Sequence, residues 1–200
     1  MREPISKISA QPLDWDEFKA AVAFAMGASD SRKKKGSYRF ILFATLSAYT
    51  GLPAKAIMQL TWRDVTGKTI YIDDDSPWGF LIIPIPPEVQ KIAKSLMSLI
   101  FGSDYTSIEN YYNFLDSSII PNLTTPSRTE PMSIQYLNLG LKEFMRASGC
   151  LKAGISTHTF RKTYAKRRFD ELGQTPHALV ELSKQLKHSS ASFTKSYIGV

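Results

Sequence analysis

Residues 37–50 set the strongest limit on how this chain can fold. Phe40, Ile41, Leu42, Phe43 and Leu46 spread around a 3.6-residue helix instead of along one stripe. A helix apolar on most sides has to be largely buried. Gly51 follows where a C-cap glycine belongs. A chain of 200 residues with 43% hydrophobic side chains can supply the enclosure, since chains of this size bury roughly 70% of their unfolded surface.

The remaining punctuation reads as further helices around one small sheet. Asp14 and Glu17 have capping-box spacing, Leu13 and Phe18 sit where a hydrophobic staple packs, and Trp15, Phe18, Val22 and Ala25 continue a helical stripe. Ser29 to Gly36, with Arg32, Lys33, Lys34 and Lys35, predicts a polar basic loop, either a solvated connector or a phosphate contact. Pro53 opens a helix expected to run through Trp62. Residues 69–73 and 80–85 are β-rich runs about a turn cluster, so they predict a hairpin, with Pro84 confining the second strand to an edge. Helices are then expected over 88–101, near 107–116, and over about 133–148 after a loop holding Pro121, Pro126 and Pro131. A basic helix capped by Thr157 should run to Leu172 and close at Gly173, another should open at Thr175-Pro176 and end near His188, and a short last helix should carry Tyr197. The fold class is therefore mainly α with a small antiparallel β-sheet (α+β), in one domain.

Charge and special residues narrow the function. Net charge is +7 with a pI near 9.4, which favours polyanions such as nucleic acid or acidic membrane surfaces. The single cysteine, Cys150, excludes an internal disulfide and a cysteine-based zinc site and suits a reducing compartment. No apolar run reaches the ~20 residues of a membrane span, and Met1-Arg2-Glu3-Pro4 lacks an apolar leader, so a cytoplasmic, DNA-associated protein is expected. His158 and Arg161 share one helical face within the first turn or so. A helix N-terminus favours anions there, and an arginine fork matches phosphate bidentately. H-x-x-R alone is common on surface helices.

Further residues fall in register. His158-x-x-Arg161, with Thr163 and Ala165 behind it, then Gly173, Leu186-x-His188-Ser189-Ser190 and Tyr197, resembles the C-terminal half of the tyrosine recombinase (phage integrase) family. Upstream, Leu46 to Leu52 and Leu60 to Val65 resemble that family's first box, and the hairpin falls where its sheet belongs. The likeness spans roughly residues 10–199, and residue order, spacing and elements agree together. It implies a tyrosine recombinase catalytic-domain-like fold acting on double-stranded DNA, with self-association on DNA or a partner recombinase, no cofactor and no metal. Tyr197 would attack the scissile phosphate to form a 3′-phosphotyrosyl link, Arg161 would stabilise the transition state, His158 would assist proton transfer at the tyrosine or donate to a non-bridging oxygen, and His188 would hydrogen-bond the phosphate. Lys162, Lys166, Arg167, Arg168, Lys55 and the Lys33-Lys34-Lys35 run are the candidate DNA contacts.

The match breaks at two catalytic positions. Pro53 stands where the family carries a second phosphate-clamping arginine, and Lys55 does not reproduce a guanidinium fork. The hairpin tip carries Asp73, Asp74 and Asp75 where the family has a lysine serving as general acid, and Lys68 lies about a strand length away. The chain also starts almost directly at the catalytic-type region, so the separate N-terminal core-binding domain of most relatives is expected to be absent. Two readings follow: an active or weakly active site-specific recombinase, used in DNA recombination or integration by a mobile element, or a non-catalytic DNA-binding accessory or regulatory protein on the same fold. A third has the basic surface binding an acidic protein.

Overall fold

The structure is a computed structural model that describes residues 10–27, 31–73, 79–102, 114–122 and 130–200. Helix α2 (Ser31–Thr50) is central, and every residue from Tyr38 to Ala48 is buried. Its all-round apolar surface is covered by α1 (Trp15–Gly27), α5 (Pro87–Phe101), α6 (Ile134–Ala147) and α7 (Thr157–Glu171). Phe160 of α7 sits edge-on to both Phe18 of α1 and Phe43 of α2, with ring centroids 6.1 and 6.4 Å apart. The α1 entry is fixed as the spacing predicts: Asp14 Oδ1 accepts from the backbone N–H of Asp16 (2.8 Å) and Glu17 (3.1 Å). The Leu13 N–H then donates to Thr163 Oγ1 on α7 at 2.9 Å, tying the two ends of the domain together.

Three expectations are corrected here. The basic run is not wholly a loop, because α2 already begins at Ser31. The helix opened by Pro53 stops early: α3 covers Ala54–Gln59 and α4 covers Trp62–Thr66. Between them Leu60 and Thr61 are extended, and Thr61 bridges Ser118. The cause is a second capping box, in which Asp64 Oδ2 accepts from the Thr61 N–H (2.7 Å) and hydroxyl (2.9 Å). Third, the proline-containing loop is partly laced into the fold, with Pro121 bridging Pro131. Pro126 and residues 107–113 lie outside the described residues; Phe114 and Leu115 of the helix expected near 107–116 are helical.

The sheet is the expected hairpin, β1 (Thr69–Ile72) antiparallel to β2 (Leu81–Pro84), with Tyr71 opposite Ile82. After α7 come α8 (Pro176–Gln185) and α9 (Ala191–Ile198). Buried side chains form two clusters. The larger runs from Leu13 to Phe160; the smaller joins Ala165 and Phe169 to Ala178, Leu182, Leu186 and Ile198. Helix α7 belongs to both.

Candidate active site

The site is built on α7. Its N-cap is Ser156 rather than Thr157, and the Ser156 N–H donates to Thr159 Oγ1 at 3.1 Å. Thr157 is instead buried inside the first turn, where its N–H donates to Asn138 Oδ1 of α6 at 2.8 Å. With Thr159, Phe160 and Thr163 packed inward, His158, Arg161 and Lys162 are turned to the opposite side. His158 is exposed. Its pKa lies below the ordinary histidine value, from desolvation of the ring and then from the charges on Arg161 and Lys162.

Arg161 reaches a pocket of about 380 Å³. Thr50 to Pro53 from the α2–α3 corner, all of β2, Tyr164, and Gln185 to Lys187 line its other sides. The corner can come this close because Gly51 has φ +71°, and a Cβ there would lie 2.5 Å from the Tyr164 ring. One Arg161 terminal nitrogen donates to the Leu186 carbonyl at 2.6 Å. The Nε–H is buried without a partner, and burial lowers the guanidinium pKa.

His188 and Tyr197 flank Arg161. The α8 helix stops at Gln185, short of His188. The His188 N–H returns to the Ser183 carbonyl (2.9 Å) and the Lys187 N–H to the Lys184 carbonyl (3.2 Å), a Schellman ending. The His188 ring then meets Tyr197 edge-on at 4.8 Å and Phe193 at 4.9 Å. Its Nδ1 lies 2.9 Å from Thr194 Oγ1. The same hydroxyl lies 3.2 Å from the Ser190 carbonyl; when it donates there, Nδ1 is the donor and Nε2 the bare acceptor. Burial, and then the Arg161 charge, push the His188 pKa down to about 4, leaving the ring neutral at pH 7. The Tyr197 hydroxyl is buried and makes no hydrogen bond. Burial raises its pKa to about 12, against a lowering pull from Arg161. Lys162 Nζ lies 5.0 Å from the Tyr197 ring centroid, and burial lowers its pKa.

The sequence-predicted DNA contacts scatter. Lys166 pairs with Asp170 at 2.7 Å, while Arg168 and Arg167 pair with Glu171 at 2.5 and 3.4 Å. Arg167 also stacks over Trp15 at 4.1 Å and Tyr49 at 5.3 Å, which makes it a rivet between α7, α1 and α2. Lys55 is exposed on α3 and does not line the pocket. Lys33, Lys34 and Lys35 fall in the first turns of α2, with side chains outside the described residues. Sequence reasoning missed Thr194, Tyr164, Gln185 and Lys187, whose roles arise from helix ends meeting in space.

Of the two departures, the one at Pro53 sits on the pocket wall. Pro53 lines it but offers no side-chain donor, and β2 contributes only Leu81, Ile82, Ile83 and Pro84. Asp73 is exposed at the end of β1, while Asp74 and Asp75 lie outside the described residues. Among the described residues no group of three or more His, Cys, Asp and Glu is placed to hold a metal ion, and no helix is long and apolar enough to cross a membrane.

This mainly helical architecture, with its one small antiparallel sheet, is the fold of tyrosine recombinase catalytic domains. Three solved structures illustrate the likeness. XerA recombinase matches over 100% of this chain and 62% of its own, with a TM-score of 0.63 and 18% identity. XerH site-specific recombinase bound to difH substrate, in a pre-cleavage complex, matches over 94% of this chain and 50% of its own, with a TM-score of 0.63 and 16% identity. A lambda integrase dimer bound to a COC′ core site matches over 99% of this chain and 50% of its own, with a TM-score of 0.58 and 17% identity. The chain thus spans between 50% and 62% of these proteins' lengths. No protein-family model and no curated protein sequence matches it.

Proposed function

We propose that this chain is a single catalytic-type domain that binds duplex DNA and exchanges strands through a covalent 3′-phosphotyrosyl intermediate, at an impaired rate. The observation that supports it is a pair of buried groups left without partners, the Arg161 Nε–H and the Tyr197 hydroxyl, beside a neutral His188. Unpaired buried polar atoms are unfavourable and call for a partner such as a ligand, ion or water. A phosphodiester would satisfy the guanidinium. The Tyr197 oxygen attacks phosphorus and the P–O5′ bond breaks; the phenol proton passes to an acceptor such as His188 Nε2, and the departing 5′-oxygen takes up a proton from water. The new P–O bond to tyrosine retains the energy for rejoining. Each absent charged donor removes on the order of 10²–10³ in rate, which sets the impairment expected from Pro53 and the missing hairpin lysine.

A second reading, a non-catalytic DNA-binding partner of another recombinase, is favoured by the apolar β2 wall and exposed Asp73. Incubation with nicked suicide duplexes of randomised sequence separates the two. The first predicts a covalent adduct on a denaturing gel that Tyr197→Phe abolishes, with binding and thermal stability retained. An adduct surviving that change rejects Tyr197 as nucleophile. No adduct, but affinity falling with log salt at about −0.9 per phosphate contacted, supports the second reading. Salt-independent binding rejects both.

A further inference from the structure

Six described helices are followed within two residues by one of positive φ. After α2, α5, α6, α7 and α9 that residue is Gly51 (φ +71°), Gly102 (φ +63°), Gly149 (φ +84°), Gly173 (φ +80°, with Gln174 behind it at φ +59°) and Gly199 (φ +76°). After α8 it is Lys187, at φ +55°. A lysine is disfavoured in this conformation because its Cβ crowds the backbone, whereas glycine adopts it freely. The Schellman hydrogen bonds from Lys187 and His188 impose the conformation without any help from the side chain. Beyond the modest attraction of a cation for the helix C-terminus, helix termination gives no reason for a lysine.

The pocket does. Lys187 lines it together with Arg161, and among the described residues these two are its only cations and no carboxylate lines it. The walls where a second phosphate donor is wanted are Pro53 and the apolar β2. Lys187 is exposed, and no carboxylate pairs with it among the described residues. Arg161 is bonded to the carbonyl of Leu186, the residue before Lys187, so its guanidinium is held against the turn that carries Lys187. Strained residues held by surrounding structure concentrate at binding sites.

We propose that Lys187 is the second cation of this pocket, a positioning residue that holds a phosphate group jointly with Arg161. The assignment rests on the phosphodiester reading above for its substrate, while its test is independent of strand cleavage. Inorganic phosphate is titrated at constant ionic strength into the whole chain, and the Arg161 Nε–H signal is followed by ¹H–¹⁵N NMR. Lys187→Gln should weaken the dissociation constant roughly three- to tenfold, the scale of one partly solvated charge-assisted hydrogen bond, and Lys187→Arg should restore most of it. Lys187→Gly should weaken phosphate equally while raising Tm by about 2–4 °C as backbone strain is relieved. A merely structural lysine would not move stability and binding in opposite directions. Equal phosphate affinity in wild type and Lys187→Gln, or no phosphate response of Arg161 in the wild type, overturns the proposal. If the titrations behave as expected and no nicked duplex gives an adduct, strand transfer fails and the pocket assignment stands.

Discussion

Replacing Thr194 by valine isolates the contact that fixes the state of His188. Thr194 is fully buried, so the nearly isosteric valine keeps the packing and deletes only the hydroxyl. The hydroxyl lies 2.9 Å from His188 Nδ1 and 3.2 Å from the Ser190 carbonyl; donating to the carbonyl, it accepts the Nδ1 proton. Ser190 is exposed, so water replaces the second bond; the imidazole N–H loses an acceptor inside a half-buried cluster. A hydrogen bond lost in this way costs about 1–2 kcal/mol. In a domain of this size, that lowers Tm by about 2–8 °C. The tautomer should respond as well. With its partner gone, Nδ1–H loses its advantage, and population should move to Nε2–H, turning the site-facing acceptor into a donor. Long-range ¹H–¹⁵N correlations at pH 7 distinguish the two forms, and a thermal melt reads the stability. An unchanged Tm together with a retained Nδ1–H pattern would refute the view that Thr194 sets the tautomer.

Three further outcomes follow from the geometry. Because the folded His188 pKa of about 4 lies below the ordinary 6.5, the unfolded chain takes up a proton that the folded site refuses. Its contribution should therefore lower stability as pH falls from 6.5 towards 4, by about 1–2 kcal/mol after discount for solvent screening, and His188→Gln should flatten that part of a pH series of denaturant melts. Arg167→Ala should cost about 1–2 kcal/mol in chemical denaturation through lost stacking on Trp15 and Tyr49; unchanged stability with weaker DNA binding would return Arg167 to the DNA-facing role suggested by sequence. Gly140→Ala places a methyl against the Phe40 ring, where α6 meets α2, so it should destabilise by about 1–3 kcal/mol, and a neutral result would show that the ring has room to yield.

The parts of the fold that were legible in the sequence are those dictated by strong local patterns. The apolar stretch from Phe40 to Leu46 could only be an enclosed helix, and the Asp14 cap and the 69–85 hairpin follow from short-range chemistry. The Pro53–Trp62 stretch misleads because its apolar pattern continues smoothly while Thr61 and Asp64 start a new helix inside it. At the site, His158, Arg161, His188 and Tyr197 were visible as a spaced set, and Arg161 does lie beside His188 and Tyr197. The pairing of Lys166, Arg167 and Arg168 was hidden, since a basic run says nothing of which carboxylate each cation meets. Lys187 was illegible for another reason: a helix end without glycine carries no local sign that its backbone is left-handed.

The division of the buried side chains into two clusters bears on when the tyrosine is available at all. Tyr197 and His188 depend on the smaller group around Phe169, Leu182 and Ile198, whereas α2 is locked into the larger one. Local opening free energies scale with the burial that is broken. Amides of α8 and α9 should therefore exchange with deuterium through partial detachment, while those of α2 wait for global unfolding. Tyr197 therefore rides on a smaller, separately packed layer, which can open while the scaffold around α2 stays folded.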